Sequence, residues 1–325
     1  MVYFKFELAF RWFGNKKNSP NGVRTEKRQK ATWDFLHQEI EQAKAKGKFK
    51  TAANYQTAVN SFVRFKEGRV WCLSDFNPDE MALFQQWLAA QGICQNTISC
   101  YMRQLRTLYN RAVKQGLITD NKPFAEVFTG KDSTCKRSVM EEDILKLSRL
   151  SLTEGSRLAF ARDIFLFSFY AMGMPFVDIA FLQKSQVSET TIHYARHKTG
   201  QEITVALEPC MQNIMNRYAS DSSKYVFPII TSQIPVETHR QYQAHLRNYN
   251  NQLARLSRMI GASRKLSSYV VRHTWASMAY KHNMDLGLIS RALGHTKTST
   301  TFIYIRELFC PELGEANRKL LKDFT

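Results

Sequence analysis

The chain has no run approaching the ~20 consecutive apolar residues that cross a bilayer, so no membrane role is expected of it. Its six cysteines (Cys72, Cys94, Cys100, Cys135, Cys210 and Cys310) include no C-x-x-C pair, which argues against a zinc site and against a disulfide framework. No metal and no cofactor are expected, and reduced thiols in the cytoplasm are the simplest reading. The opening "MVYFKFELAFRWF" superficially resembles a leader, but Lys5, Glu7 and Arg11 interrupt it and no small-residue cleavage site follows. Its alternating Val2, Phe4, Phe6, Leu8 and Phe10 fit a short strand instead. Internal repeats and low-complexity blocks are also missing. Acidic residues are scarce, 28 against 46 Lys and Arg, for a net charge of +18. Residues 1–130 hold 20 basic and 11 acidic side chains and the remainder 26 and 17, so each part carries +9. A basic tail would concentrate that charge in one place. Two basic halves point to a polyanion touched by both.

At 325 residues with 44 % hydrophobic side chains, the chain can form two globular domains. Helical periodicity dominates. "TAANYQTAVNSFVRFK" puts Tyr55, Ala58, Val59, Phe62 and Val63 on one face. Asn77-Pro78-Asp79-Glu80 supplies a cap, a first-turn proline and acids at the positive end of a helix dipole. A further helix begins at an Asn96/Thr97 cap and ends at Gly116, with Arg103, Arg106 and Arg111 opposite its apolar stripe. Residues 117–138 lose periodicity and read as a linker. Helical patterning returns at 140–151 and 156–172, breaks near Met174-Pro175, and resumes through "FVDIAFLQ". Two strands, 190–196 and 202–207, flank the turn "HKTGQ" as a hairpin. Helices follow near 208–220, 236–260, 268–283 and 285–293.

Against this background, "SSYVVRHTWAS" at 267–277 and "LGHTKTSTTFIY" at 293–304 stand out. Neither contains a carboxylate for metal or acid–base work. Both contain hydrogen-bond donors suited to an anion, and Tyr304 adds a phenol that can act as a nucleophile. The combination points to phosphate chemistry without a metal.

Arg272-His273-Thr274, the Leu293-Gly294-His295 turn and Tyr304 nine residues further on together resemble the signature of the tyrosine recombinases, the phage-integrase family. The "SYVVRHTWA" form is similar to the branch found in gut anaerobes and their mobile elements. The likeness extends over most of the chain: "NTISCYMRQLRTLYNRAVKQGLI" resembles the last helix and exit of the core-binding domain, and "RHKTG" the lysine-bearing hairpin of the catalytic domain. It implies a mainly α fold, a two-domain clamp of helical core-binding domain and mostly helical catalytic domain with a small β-hairpin. The expected division is an N-terminal extension (1–28), core-binding domain (29–118), linker (119–138), catalytic domain (139–306) and a C-terminal segment (307–325). In that last segment Leu313, Ala316, Leu320 and Leu321 form a stripe too small to fold alone, and the resemblance implies its exchange between protomers.

The resemblance also implies roles. Tyr304 is the nucleophile, forming a 3′-phosphotyrosyl bond to DNA and expelling a 5′-hydroxyl. Arg272 is the principal phosphate clamp, because a planar guanidinium stays charged and binds phosphate through two N–H groups. His295 is a further donor, and Lys198 on the hairpin is the general acid for the leaving oxygen. Arg103, Arg106 and Arg196 are expected to contact DNA. Two departures stand out. Tyr269 occupies a position where the family usually has histidine; a phenol with an unperturbed pKa near ~10 still hydrogen-bonds phosphate but is a poor neutral-pH base. In the first family box, which reads Gly-Leu-Arg with an acid three residues after the arginine, "MGMPFVDIAFL" puts Pro175 at the arginine and Asp178 at the acid. Arg196 and Arg264 are both candidates to replace the missing cation. The expected partners are double-stranded DNA and three further copies in a homotetramer on two sites, with accessory DNA-bending proteins as an option. The expected location is the cytoplasm, at the nucleoid when DNA-bound. The alternatives are a DNA-binding member with weakened catalysis and a relaxing enzyme of the type IB topoisomerase kind.

Overall fold

The protein is represented by a computed structural model that describes residues 20–132, 138–296 and 300–302, with side chains from Glu26 onward. The expected strand at 2–10 and the segment 307–325 lie outside the described residues. The chain divides into two compact units, residues 1–134 and 135–325. Among the described residues no helix is long and apolar enough to cross a membrane.

The first unit is built from α1 (Pro20–Ala45), α2 (Phe49–Phe65), α3 (Pro78–Ala90) and α4 (Gln95–Lys114). Asn77 starts α3 as its sequence demands: its Oδ1 accepts the Glu80 N–H at 2.9 Å, with Pro78 in the first turn. Phe62 on α2 is fully buried, with the rings of Phe76, Trp71 and Phe84 centred 4.8, 4.9 and 5.1 Å away. With Phe65 at 5.6 Å as a fourth, the aromatics around this ring give the small unit a core that truncating Phe62 to alanine would weaken by about 3–5 kcal/mol.

Three local expectations are corrected here. The Asn96/Thr97 cap is absent, and α4 starts one residue earlier, after Cys94. Asn96 instead exchanges two hydrogen bonds with the backbone of Asp132, at 2.9 and 3.0 Å. Much of the expected linker is folded onto this unit. Phe124 and Val127 enter its core, Ser99 donates to the Gly130 carbonyl at 2.6 Å, and the Tyr109 hydroxyl accepts the Asn121 N–H at 2.8 Å. Arg111 is not a free outward cation either; it pairs with the buried carboxylate of Glu39 on α1, whose burial without a cation would be costly.

The second unit comprises α5 (Glu141–Arg149), α6 (Arg157–Tyr170), α7 (Phe176–Ala180), β1 (Thr191–Ala195), β2 (Glu202–Ala206), α8 (Pro209–Arg217), α9 (Pro235–Met259), α10 (Val270–Lys281) and α11 (Leu286–Ala292). Helix α6 is buried around most of its circumference, from Ala159 to Ser168, as befits a central helix. Its Asp163 accepts from Arg162, Arg217 and Tyr218 at 2.8, 3.0 and 2.8 Å. The strands pair antiparallel with Thr191 opposite Ala206 and Tyr194 opposite Ile203. Ile192, Tyr194, Ile203 and Val205 face the core while their neighbours face outward, the period-two pattern read from the sequence.

The break before α7 is a tight turn. Met172 and Gly173 take φ values of 56° and 73° in succession. The N–H groups of Gly173 and Met174 both donate to the Ser168 carbonyl, at 2.8 and 3.2 Å, and Ser168 Oγ donates to the Met174 carbonyl at 2.6 Å. Thr274 on α10 is also fully buried: it donates to the Val270 carbonyl at 3.0 Å and accepts the Val139 N–H at 3.1 Å. That threonine is structural.

Candidate active site

Arg272 sits in the first turn of α10 and is only 2 % exposed. Its Nη1 donates to the Gly173 carbonyl at 3.1 Å, its Nη2 donates to the Leu293 carbonyl, and the same Nη2 lies 3.4 Å from His295 Nε2. The turn before α7 can approach this closely because residue 173 lacks a side chain: a Cβ there would lie 3.0 Å from the Arg272 Cα. Leu293 follows α11, so its carbonyl belongs to the negative end of a helix and suits a cation.

Arg196 reaches the same carbonyl. It is 7 % exposed, its Nη1 donates to Leu293 O at 2.6 Å, and its Nε donates to Asp178 Oδ2 at 3.4 Å. Asp178 also accepts the His197 N–H at 2.9 Å through Oδ1. Burial pushes the Asp178 carboxyl upward, and the His197 N–H and Arg196 oppose that shift. At the base of the hairpin turn, the Arg196 N–H donates to Gln201 O at 2.8 Å and its carbonyl accepts from Gly200 N at 2.7 Å. Lys198 stands two residues further along, exposed in the turn.

His295 is half-buried, and its Nδ1 lies 2.9 Å from Thr301 Oγ1. Burial, and then the charges of Arg272, Arg196 and Lys198, lower its pKa to about 4. The imidazole is therefore neutral at pH 7 and carries one ring N–H. The unfolded chain, with a histidine pKa near 6.5, takes up a proton that the fold refuses. Stability contributed here is present above pH ~6.5 and declines as pH falls toward about 4. A proton NMR titration of the DNA-free protein should show one histidine, absent from a His295→Gln variant, that stays neutral down to about pH 5. A His295 midpoint near 6.5 would contradict the cation cluster around it.

The glycine between Leu293 and His295 is a second close approach. Gly294 has φ 58°, and a Cβ there would lie 2.7 Å from both Arg196 Cδ and Ile203 Cδ1. Gly294→Ala should cost about 1–2 kcal/mol in backbone strain alone and displace the Arg196 side chain. A lower melting temperature is the expected outcome, and an unchanged one would count against this packing.

Of the residues predicted from sequence, the fold thus assembles Arg272, His295 and Arg196, with Lys198 near enough to act on His295 electrostatically. Tyr269 caps α10, is 46 % exposed, and sits edge-on to the His273 ring at 4.8 Å. Tyr304 lies outside the described residues. Arg264 is exposed in the segment before Leu266. Arg196, expected as a DNA contact, is buried in the cluster rather than displayed on an open surface. Arg103 and Arg106 are half-buried on α4; Arg103 Nε donates to Ser99 O and Arg106 Nη1 to Thr129 Oγ1, both at 3.3 Å. Sequence reasoning missed the Gly173 and Leu293 carbonyls that orient the arginines. The only signal for them was a glycine at or beside each.

Residues 141–309 match the Phage integrase family and residues 32–128 the Phage integrase SAM-like domain. The tyrosine recombinase XerD of Rhizobium meliloti is 24 % identical over 271 residues, 79 % of this chain and 85 % of that protein. The XerD of Lacticaseibacillus casei is 24 % identical over 287 residues, 83 % and 92 % of the two chains. Among solved structures, a lambda integrase dimer bound to a COC′ core site superposes with a TM-score of 0.61 at 16 % identity, covering 83 % of this chain and 94 % of that one. The integrase of transposon Tn1549 in complex with transposon right end DNA gives 0.60 at 10 % identity, covering 89 % and 98 %. At those identities the structural likeness speaks for the fold.

Proposed function

The chain belongs to the phage integrase family, the tyrosine recombinases, and from that premise we propose that it cuts and rejoins DNA at defined sites through a covalent phosphotyrosyl intermediate. The observation that carries this reading is the convergence of Arg272 and His295 beside the Leu293 carbonyl, from segments 21 residues or more apart. Tyr304 follows nine residues after His295.

The reaction written on these residues balances without an external energy source. The Tyr304 oxygen bonds to phosphorus as the bond from phosphorus to the 5′-oxygen breaks. The phenol proton is released, and the departing 5′-oxygen takes a proton from Lys198. One phosphoester replaces another, so the reverse attack by a 5′-hydroxyl reseals the strand. Negative charge accumulates on the non-bridging oxygens, where Arg272 stays cationic and His295, neutral when the site is empty, offers an N–H. Tyr269, at the exposed start of α10, is a further donor to the same phosphate.

We take residues 29–118 as the DNA-binding domain and 139–306 as the catalytic one. Arg103 and Arg106, whose described side-chain bonds go to the neutral acceptors Ser99 O and Thr129 Oγ1, supply phosphate contacts. Four subunits acting on two DNA sites are the working assembly, serving integration, inversion or excision of a mobile element. The test is a suicide oligonucleotide, nicked so that the cleaved end diffuses away and the covalent complex accumulates. Covalent attachment at a defined phosphate supports the reading. Site binding without attachment identifies a silent DNA-binding protein, and attachment without sequence preference identifies a relaxing enzyme.

A further inference from the structure

The family's first-box arginine is missing, and what stands there cannot replace it. Pro175 opens α7 and has neither a side-chain donor nor a backbone N–H. The turn that leads into it contributes only a carbonyl, that of Gly173, to Arg272. A dianionic transition state held by one guanidinium would lack a donor of the kind whose removal costs on the order of 10²–10³ in rate.

We propose that Arg196, delivered from the hairpin, is the second guanidinium of the phosphate site; this deepens the recombinase reading and rests on it. Arg196 and Arg272 donate to one oxygen, Leu293 O, and that shared acceptor brings two buried guanidinium groups side by side. A single phosphate, with two non-bridging oxygens, spans such a pair. The arginine is also anchored in a way that leaves one nitrogen for a ligand. Nε is held by Asp178 and Nη1 by Leu293, while Nη2 has no hydrogen bond among the described residues and is not sealed in the interior. Asp178, the acid of the same box, then has a clear task. It fixes Arg196 through one oxygen and the next backbone N–H through the other, setting the hairpin's position. Gly294 leaves room for the Arg196 stem beneath the turn that presents His295. Arg264, the other candidate, is exposed in the segment before Leu266.

The competing account is that Arg196 only ties the hairpin to Asp178. Two substitutions and two substrates separate the accounts. Arg196→Ala leaves Asp178 buried without its cation and risks the fold, so Arg196→Lys, which retains charge but not the planar fork, is made beside it. Single-turnover covalent attachment is measured on the suicide oligonucleotide and on one with a neutral methylphosphonate at the scissile position, where one charged non-bridging oxygen is replaced by methyl. Wild-type attachment establishes the reaction independently of this inference. Arg196→Lys should bind DNA within a few-fold of wild type yet cleave the natural phosphate at least tenfold more slowly, and the deficit should shrink severalfold on the methylphosphonate. Pro175→Arg in the Arg196→Lys background should restore part of the rate. Wild-type cleavage by Arg196→Lys, or an equal deficit on both substrates, overturns the proposal while leaving the recombinase reading intact.

Discussion

Tyr304→Phe is expected to abolish covalent attachment to a nicked cognate oligonucleotide while leaving site binding within a few-fold. The substitution removes one oxygen, the atom proposed to bond to phosphorus, and retains the aromatic ring. Arg272, His295 and Arg196, the proposed phosphate ligands, are unaltered, so binding is expected to survive when chemistry does not. A mobility-shift titration and a denaturing gel of the same samples separate the two quantities. Covalent complex persisting in the variant would assign the nucleophile elsewhere.

The second large effect is on affinity. Each half of the chain carries +9, and a protein that neutralises 6–10 phosphates loses about 10³–10⁵ in affinity between 50 and 200 mM salt through uptake of the released counterions. That slope is the expected result for the intact protein on its site. Replacing Arg103 or Arg106 by alanine should reduce the slope by about one and weaken cognate and random DNA alike, because phosphate contacts position without reading sequence. A nearly flat salt dependence would mean that the basic surface does not face the DNA.

Parts of this protein were legible because the physics behind them is local. Asn77-Pro78-Asp79-Glu80 caps α3 through contacts spanning three residues. The hairpin follows from two alternating stretches and a five-residue turn. Spacing and family likeness pointed to Arg272 and His295 as one group, and Arg272 Nη2 lies 3.4 Å from His295 Nε2. What failed was long-range. Asn96 has the chemistry of a helix cap, but its amide finds a better pair of partners 36 residues away. The stretch 119–132 has no periodicity to advertise the burial of Phe124 and Val127. Nothing near Arg196 in the chain announced that its guanidinium would meet a carbonyl 97 residues downstream. No local pattern encodes that meeting. Gly294 marks it only indirectly, by lacking the atom that would prevent it.

The short reach from Arg196 to Lys198 has a consequence for how the site is armed. Arg196 closes the base of the turn through its own backbone, and Lys198 rides on that turn. On the reading proposed above, the second grip on the phosphate and the proton donor for the leaving oxygen are therefore carried by one turn. Where these groups sit on separate elements, displacing one leaves the other engaged, and a half-equipped site can break a strand slowly. A displacement of this turn would shift the proposed cation and the proposed acid together, and it would also break the Arg196 bonds to Asp178 and Leu293.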